Sequence, residues 1–464
     1  MTALDSASAI LEDLLALAGG TPADGAVKFR GSDPVLPTRF RMGELGAAAI
    51  AAAALQAARL HRRAGGPDQT VEVDVDAAAA AMRSWRYLTQ TPPDPWQLGR
   101  FPVNFYPTAD GRWLLLHKMF DHHYDRELAV LGVSPDEESI AAAIARRDAI
   151  ELEEAIVEAG GCAAAVRTRE EWRSHPQGMA VSDLPLFRLV KTGESEPEPV
   201  GAARSALAGV RVVDMTHVLA GPTTARTLAE HGADVIRIGN SARPERGPMP
   251  RDTGHGKRSA ELDVRRAGDA DVLRRLLRGA DVFSQGYRPG ALDALGFSRE
   301  QVAELRPGIV TVSISAFGAD GPWASRRGYD SIVQAASGAS LESGGTGSPR
   351  SIPANPLDYV SGYLAAFLVQ VALERRAREG GSYHVELSLA QTGRYLDSLA
   401  RVDAELAAVC DPELPSARLD ELLVQRDTPY GRLRYLKPAA RLSRTPGGWA
   451  RPSAPWGHDE ARWT

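Results

Sequence analysis

Apolar and polar positions in this chain follow two periods, and the switches between them mark its elements. Residues 209–214 (GVRVVD) are a short apolar run, residues 222–231 carry helical spacing with Pro222 at the start, and residues 233–238 (ADVIRI) are apolar again. Two apolar runs of strand length joined by a helix predict a βαβ unit, with parallel strands buried on both faces. Helical spacing returns over 271–278 and 299–305, and strand-like runs over 281–283 and 309–314 (IVTVSI). Residues 205–400 are therefore expected to form a doubly wound α/β domain around a parallel sheet.

A second pattern occurs twice. Residues 43–63 are an alanine-rich helix stopped by Gly65-Gly66 and followed by an alternating strand at 70–75 (TVEVDV). Residues 361–378 are an amphipathic helix stopped by Gly380-Gly381 and followed by HVELSL at 384–389. Glycine just past a helix end takes the left-handed conformation that terminates it, and the recurrence predicts an internal repeat. Residues 193–200 (GESEPEPV), rich in proline and charge, read as a linker. The stretch from GRWLLL at 111–116 to Trp172 reads as a separate, smaller α+β unit. The first twenty residues read as an amphipathic helix, because Asp5, Glu12 and Asp13 stand where a signal peptide is basic and then apolar.

Composition narrows the partners. The 464 residues, 44% hydrophobic and 24% charged, suit two or three globular domains. The 54 basic and 59 acidic residues are spread along the chain, leaving no stripe for a phosphate backbone, so nucleic acid is not expected. Two cysteines, Cys162 and Cys410, without a patterned Cys/His set predict neither a disulfide framework nor a metal centre, and suggest a reduced, cytoplasmic setting. The weakly polar run at 45–58 falls short of the roughly 20 apolar residues a bilayer requires, so no membrane span is expected.

The first βα turn, HVLAGP at 217–222, lacks the GxGxxG spacing of dinucleotide sites, and neither GxxxxGK[ST] nor GxSxG occurs. Asp358, in NPLDYVSG at 355–362, stands out as a carboxylate just ahead of an apolar helix. Such an aspartate is either a nucleophile aimed into a cleft or an N-cap accepting an orphan amide. Gly344, Gly345 and Gly347 make a loop that either covers a site or lies on the surface. Lys257, Arg258, Arg326 and Arg327 either hold a phosphorylated ligand or are solvated. His117, His122 and His123 lack the companions of a metal site and receive no role, and Trp113 and Trp172 read as core aromatics.

The strings at 209–238 (GVRVVDMTHVLAGPTTARTLAEHGADVIRI), 256–263 (GKRSAELD), 287–293 (YRPGALD) and 328–335 (GYDSIVQA), with the Asp358 segment and VELSL at 385–389, resemble in order the family III CoA-transferases. The resemblance implies an α/β large domain with a smaller α+β domain and an acyl-CoA:carboxylate CoA-transferase. In that family a carboxylate at the position of Asp358 attacks the acyl-CoA thioester and passes through an aspartyl anhydride and an aspartyl-CoA thioester. It also implies a coenzyme A thioester as substrate with no permanently bound cofactor, a carboxylic acid acceptor, and a homodimer. His217, Val218, Leu219, Ala220, Lys257, Arg258 and Arg327 become the expected CoA-binding positions, and the loop of Gly344, Gly345 and Gly347 the expected cover. The sequence departs from the family at Gly286, a frequent asparagine, and at Gly239-Asn240, usually acidic or basic. An α-methylacyl-CoA racemase-like isomerase has Gly-His-Asp where this chain has Gly328-Tyr329-Asp330, and a non-catalytic CoA-ester-binding protein is the remaining alternative.

The order of parts differs from the family too. The expected division is a remnant of a first large-domain copy (1–94), a small domain that precedes rather than follows (95–192), a linker (193–204), the large domain (205–400) and a return segment (401–464). Aligning the two repeat units puts either Glu44 or Gly43 opposite Asp358, and one active carboxylate, Asp358, is expected.

Overall fold

The computed structural model describes residues 5–23, 26–94, 103–200, 204–240, 245, 247–288, 290–345 and 347–463. Its centre is a seven-stranded sheet in the order Lys257–Glu261, Asp234–Gly239, Arg211–Met215, Val282–Gln285, Val310–Ser315, Ser382–Ser388, Phe187–Gly193. The first six strands are parallel and the last is antiparallel to its neighbour. The chain runs outward from Arg211–Met215 and then resumes on that strand's other side, so strand order reverses between Arg211–Met215 and Val282–Gln285. In open α/β sheets, loops diverge at such a point and leave a crevice.

Two strands of this sheet escaped the sequence pattern. Lys257–Glu261 carries Lys257, Arg258 and Ser259 buried, so its polar letters hide a strand. Phe187–Gly193 closes the far edge of the large sheet, and the boundary expected between residues 192 and 193 falls inside it. The helix Pro356–Glu379 begins five residues before the amphipathic pattern does. It is long and apolar enough to cross a membrane by length and composition, and 94% of its most apolar window is buried inside the protein.

The repeat is real in three dimensions. Val27–Arg30, Val71–Asp74 and Ala440–Leu442 form a three-stranded sheet, parallel and then antiparallel. That reproduces the relation among Val310–Ser315, Ser382–Ser388 and Phe187–Gly193. The helix Met42–Arg63 matches Pro356–Glu379, and the two pack together. Alanines at 47–49 and 51–54 are fully buried, and Gln370 Nε2 donates to the Ala53 carbonyl at 3.1 Å. Small side chains permit that approach, and the amide replaces a hydration partner the buried carbonyl has lost.

The smaller unit is an antiparallel sheet of Val103–Pro107, Trp113–His117 and Ala163–Ala165 covered by Asp121–Leu131, Glu137–Ile144 and Ala149–Glu158. Its own core is Tyr106, Leu114, Leu116, Tyr124, Ile140, Ile144, Leu152 and Ile156. The C-terminal stretch returns across the large sheet. Trp449 Nε1 donates to the Arg226 carbonyl at 3.1 Å and Trp463 Nε1 to that of Leu276 at 2.9 Å. Trp456 lies against Gly239, where a Cβ would stand 2.5 Å from its ring, which accounts for the glycine at that departure from the family.

Burial holds His117, His231 and His384 neutral, with pKa values down to about 4. It pushes Asp33 up to about 7 and Glu127 to about 8. Below the ordinary histidine value of about 6.5 the unfolded chain takes up protons that these histidines refuse, so stability falls with acid. Above it, the folded protein alone keeps the protons on Asp33 and Glu127, so stability falls as they leave. Thermal unfolding followed by calorimetry is expected to show a maximum midpoint near pH 6.5, and a midpoint rising steadily to pH 8 contradicts this assignment.

Candidate active site

A cavity of about 420 Å³ opens at the carboxyl ends of the parallel strands, at the reversal of strand order. Thr216, His217 and Val218 follow one strand, Gly286, Tyr287 and Arg288 the next, Ser315 and Ala316 end the third, and Leu389 follows the fourth. Asp358 lies within it, and Phe120, His122 and His123 of the smaller unit form part of its wall.

Asp358 is the third residue of its helix and does not cap it. Asn355 holds the cap position without a side-chain cap bond; its Oδ1 accepts from Trp85 Nε1 at 2.9 Å instead. The cap comes from another helix, Asp330–Ala336. Asp330 Oδ2 accepts the amides of Leu357 at 2.8 Å and Asp358 at 3.0 Å, and its Oδ1 accepts from Gln334. Asp330 thus has three donors. The Asp358 carboxylate receives none among the described residues, although Asp358 is only 5% exposed. Burial, and next the charge of Asp330, raise its pKa well above the carboxylate range. The helix N-terminus counters part of that by favouring negative charge in the first turn.

The expected CoA positions divide. His217, Val218 and Ala220 line the cavity, while Leu219 is buried and does not line it. Burial lowers the His217 pKa, but Glu245 outweighs it and the net shift is upward; Nδ1 lies 3.6 Å from Glu245 Oε1, and Nε2 3.1 Å from the Tyr287 hydroxyl. Val218 stands at φ 67°, a strained conformation for a β-branched residue, held by its amide's bond to Glu245 at 2.5 Å. That turn brings Ala220 and Gly221, at the start of the helix Ala220–Glu230 where amides have no intrahelical acceptor, to the cavity wall.

Lys257 and Arg258 do not line the cavity. Lys257 is 2% exposed and donates to Asp214 Oδ2 and to the Pro222 carbonyl, both at 2.8 Å, while burial pulls its pKa down to about 8. Arg258 holds Asp234 at 2.8 Å beneath the Trp463 ring. Arg327 does line the cavity, with Arg288. Gly344 ends the helix Ala339–Gly344 and backs onto Pro349, Gly345 follows at φ 63°, and neither these nor Gly347 line the cavity. His122 and His123, given no role from sequence, do. Asp330, Glu245, Tyr287 and Tyr329 were given no role from sequence, although Tyr287, Tyr329 and Asp330 lie in the strings at 287–293 and 328–335.

The repeat also supplies a counterpart of the carboxylate. Asp33 Oδ2 accepts the Glu44 amide at 2.8 Å, as Asp330 accepts that of Asp358. Glu44, and not Gly43, therefore stands opposite Asp358. Glu44 is 3% exposed, paired with Arg41 at 2.7 Å, and off the cavity.

The chain belongs to CoA-transferase family III, which it matches over residues 16–188 and 207–407. It is 34% identical over 325 residues to an acyl-CoA transferase of Gibberella moniliformis, covering 64% of this chain and 57% of that protein. It is also 34% identical over 195 residues to an acetyl-CoA:oxalate CoA-transferase of Acetobacter aceti, covering 39% and 50%. Thus the chain spans about half the length of the curated relatives it matches. A CaiB/BaiF family protein of Brucella suis with a known crystal structure is 29% identical, covering 40% of this chain and 54% of that one, at a TM-score of 0.37.

Removing one partner of the buried Lys257–Asp214 pair strands a charge, so Lys257→Ala is expected to lower the unfolding free energy by about 3 kcal/mol in a denaturant titration. Unchanged stability with weakened CoA-ester binding would place Lys257 on the ligand instead.

Proposed function

We propose that this chain is an acyl-CoA:carboxylate CoA-transferase whose nucleophile is Asp358. The observation that carries the reading is a buried carboxylate with no hydrogen-bond donor among the described residues, its backbone amide held by Asp330, facing a cavity at the strand ends. A carboxylate attacking a thioester needs an unencumbered oxygen lone pair and little water, and Asp358 has both conditions around it.

Asp358, raised in pKa by burial and by Asp330, reacts in its deprotonated form, which the helix N-terminus favours: one carboxylate oxygen attacks the thioester carbonyl carbon, the C–S bond breaks, and CoA leaves as its thiolate. The result is a mixed anhydride of Asp358 with the donor acyl group. The thiolate then attacks the Asp358 carbonyl of that anhydride, releasing the donor acid as a carboxylate and leaving an Asp358–CoA thioester. An incoming carboxylate repeats the two steps in reverse and departs as the new acyl-CoA, restoring the Asp358 carboxylate. Overall one thioester is exchanged for another of similar energy, so no external energy source is needed. The amides of Ala220 and Gly221 at the helix start supply donors for the oxyanion of the tetrahedral intermediates. His217, whose pKa Glu245 shifts upward, stands on the same wall.

The racemase-like alternative needs a histidine where Tyr329 stands, and that ring is stacked 4.1 Å from His117. Incubation with an acyl-CoA panel plus hydroxylamine, followed by peptide mapping, is expected to place one hydroxamate per chain, on Asp358 and none on Glu44. Asp358→Asn is expected to reduce transfer by at least about a thousandfold. Solvent deuterium at the acyl α-carbon without acid exchange would support the isomerase instead.

A further inference from the structure

A second cavity, of about 720 Å³, opens at the opposite end of the large sheet, where the parallel strands begin. A strand of five residues, about 16 Å long, separates it from the cavity that holds Asp358. Five arginines from five separate stretches of chain line it. They are Arg204 ahead of the sheet, Arg211 at the first residue of its strand, Arg278 at the end of the helix Ala267–Arg278, Arg306, and Arg451 of the C-terminal return. Arg306 is already paired, donating to both oxygens of Glu198 at 2.7 and 2.6 Å. Arg204, Arg211, Arg278 and Arg451 have no carboxylate partner among the described residues. Arg211 lies 5.4 Å from the centroid of the Trp463 ring, a contact that leaves its charge in place.

The two carboxylates that line this cavity are engaged from behind by buried guanidiniums. Asp234 Oδ2 accepts from Arg258 at 2.8 Å, and Asp281 Oδ1 from Arg376 at 2.9 Å. The other oxygen of Asp281 accepts the Arg211 amide at 2.9 Å. Glu230, which follows the lining residue Ala229, lies against Gly447, and burial raises its pKa to about 8. Three helices end at the cavity, Ala220–Glu230, Ala267–Arg278 and Arg299–Leu305. Each brings a partial charge of about −0.5, roughly −1.5 together, against four uncompensated arginines. The recess is thus positive in a protein whose net charge is −5. Arginines spread over a convex surface are simply solvated, whereas a recess with low-dielectric walls focuses their field and concentrates anions.

We propose that this recess is a second ligand site, for an oligophosphate: two or three linked phosphates, free or carried on a nucleoside. Each guanidinium offers a planar fork of N–H donors that matches two phosphate oxygens. Four such forks call for more negative charge than one phosphate or one carboxylate brings. The volume is that of a site for a nucleotide-sized ligand. The recess lies away from Asp358 and takes no part in the transfer steps, so the proposal stands apart from the transferase reading. Arg211 begins one of the two strands between which the active cavity opens, and the ligand therefore grips the opposite end of that strand.

The experiment is isothermal titration of the full chain with inorganic tripolyphosphate and with ATP, in magnesium-free buffer. It is run on the wild type, on Arg278→Gln, on Arg451→Gln and on the double variant. A control loses the same charge at Arg62 and Arg432, which are exposed elsewhere. The double variant is expected to weaken both ligands at least about tenfold and each single variant by less, while the control binds as the wild type does. Equal affinity for the two ligands assigns the contacts to the phosphates, and tighter binding of ATP adds the nucleoside; either supports the site. Failure of both ligands to bind the wild type overturns the proposal, as does equal weakening in the control, which makes the effect one of overall charge. Binding that CoA displaces and the double variant retains also overturns it, because the phosphates then sit in the cavity of Asp358.

Discussion

The arrangement of this protein turns on one carboxylate oxygen, Asp330 Oδ2, and the two helix amides it accepts. Those bonds satisfy orphan donors at the start of the Pro356–Glu379 helix, a task usually left to the residue at the cap itself. Two buried carboxyls in one space cannot both be stabilised as anions at no cost. The three donors on Asp330 decide which is the better solvated by protein, and Asp358 is left without a donor among the described residues. Asn355, freed from capping, is tied instead to Trp85, and its amide to the Met82 carbonyl at 2.9 Å. Ser84 adds a bond of 2.9 Å to the Tyr359 hydroxyl. The helix start that carries Asp358 is thus anchored by the end of the N-terminal repeat unit.

The exchange is mutual. Arg41 Nε donates to the Ala400 carbonyl at 3.0 Å and the Val402 amide to that of Arg39 at 2.9 Å, so the other unit anchors the start of the Met42–Arg63 helix. The same scaffold with different letters has opposite electrostatics. Where Asp358 has no donor among the described residues, Glu44 is paired with Arg41. Among the described residues, the sheet of the Glu44 unit has no counterparts of the strands Arg211–Met215 and Val282–Gln285, between which the cavity opens. Geometry alone does not distinguish the two carboxylates; among the described residues, a paired cation at one and a crevice at the other do.

Much of the fold was legible in the sequence because it is written in local pattern. The βα alternation and the repeated helix, double glycine and strand each follow from periodicity or from backbone conformations within a few residues. Asp358 was legible as an unusual carboxylate, and the resemblance gave it a role. Lys257–Glu261 was not legible as a strand, because its polar side chains are buried against partners that lie far along the chain, as Lys257 is against Asp214.

By itself the sequence determined the α/β class, the internal repeat and the family strings, since periodicity and motif spacing are properties of neighbouring residues. Only the tertiary structure decided which carboxylate caps and which is free, because Asp330 and Asp358 are 28 residues apart and the letters are the same. It also decided that Lys257 is a buried strut while Arg327 faces the cavity, and that His122 and His123 join Asp358 there. A charged residue looks alike in sequence whether it meets a counter-charge, a ligand or water, and only packing selects among them.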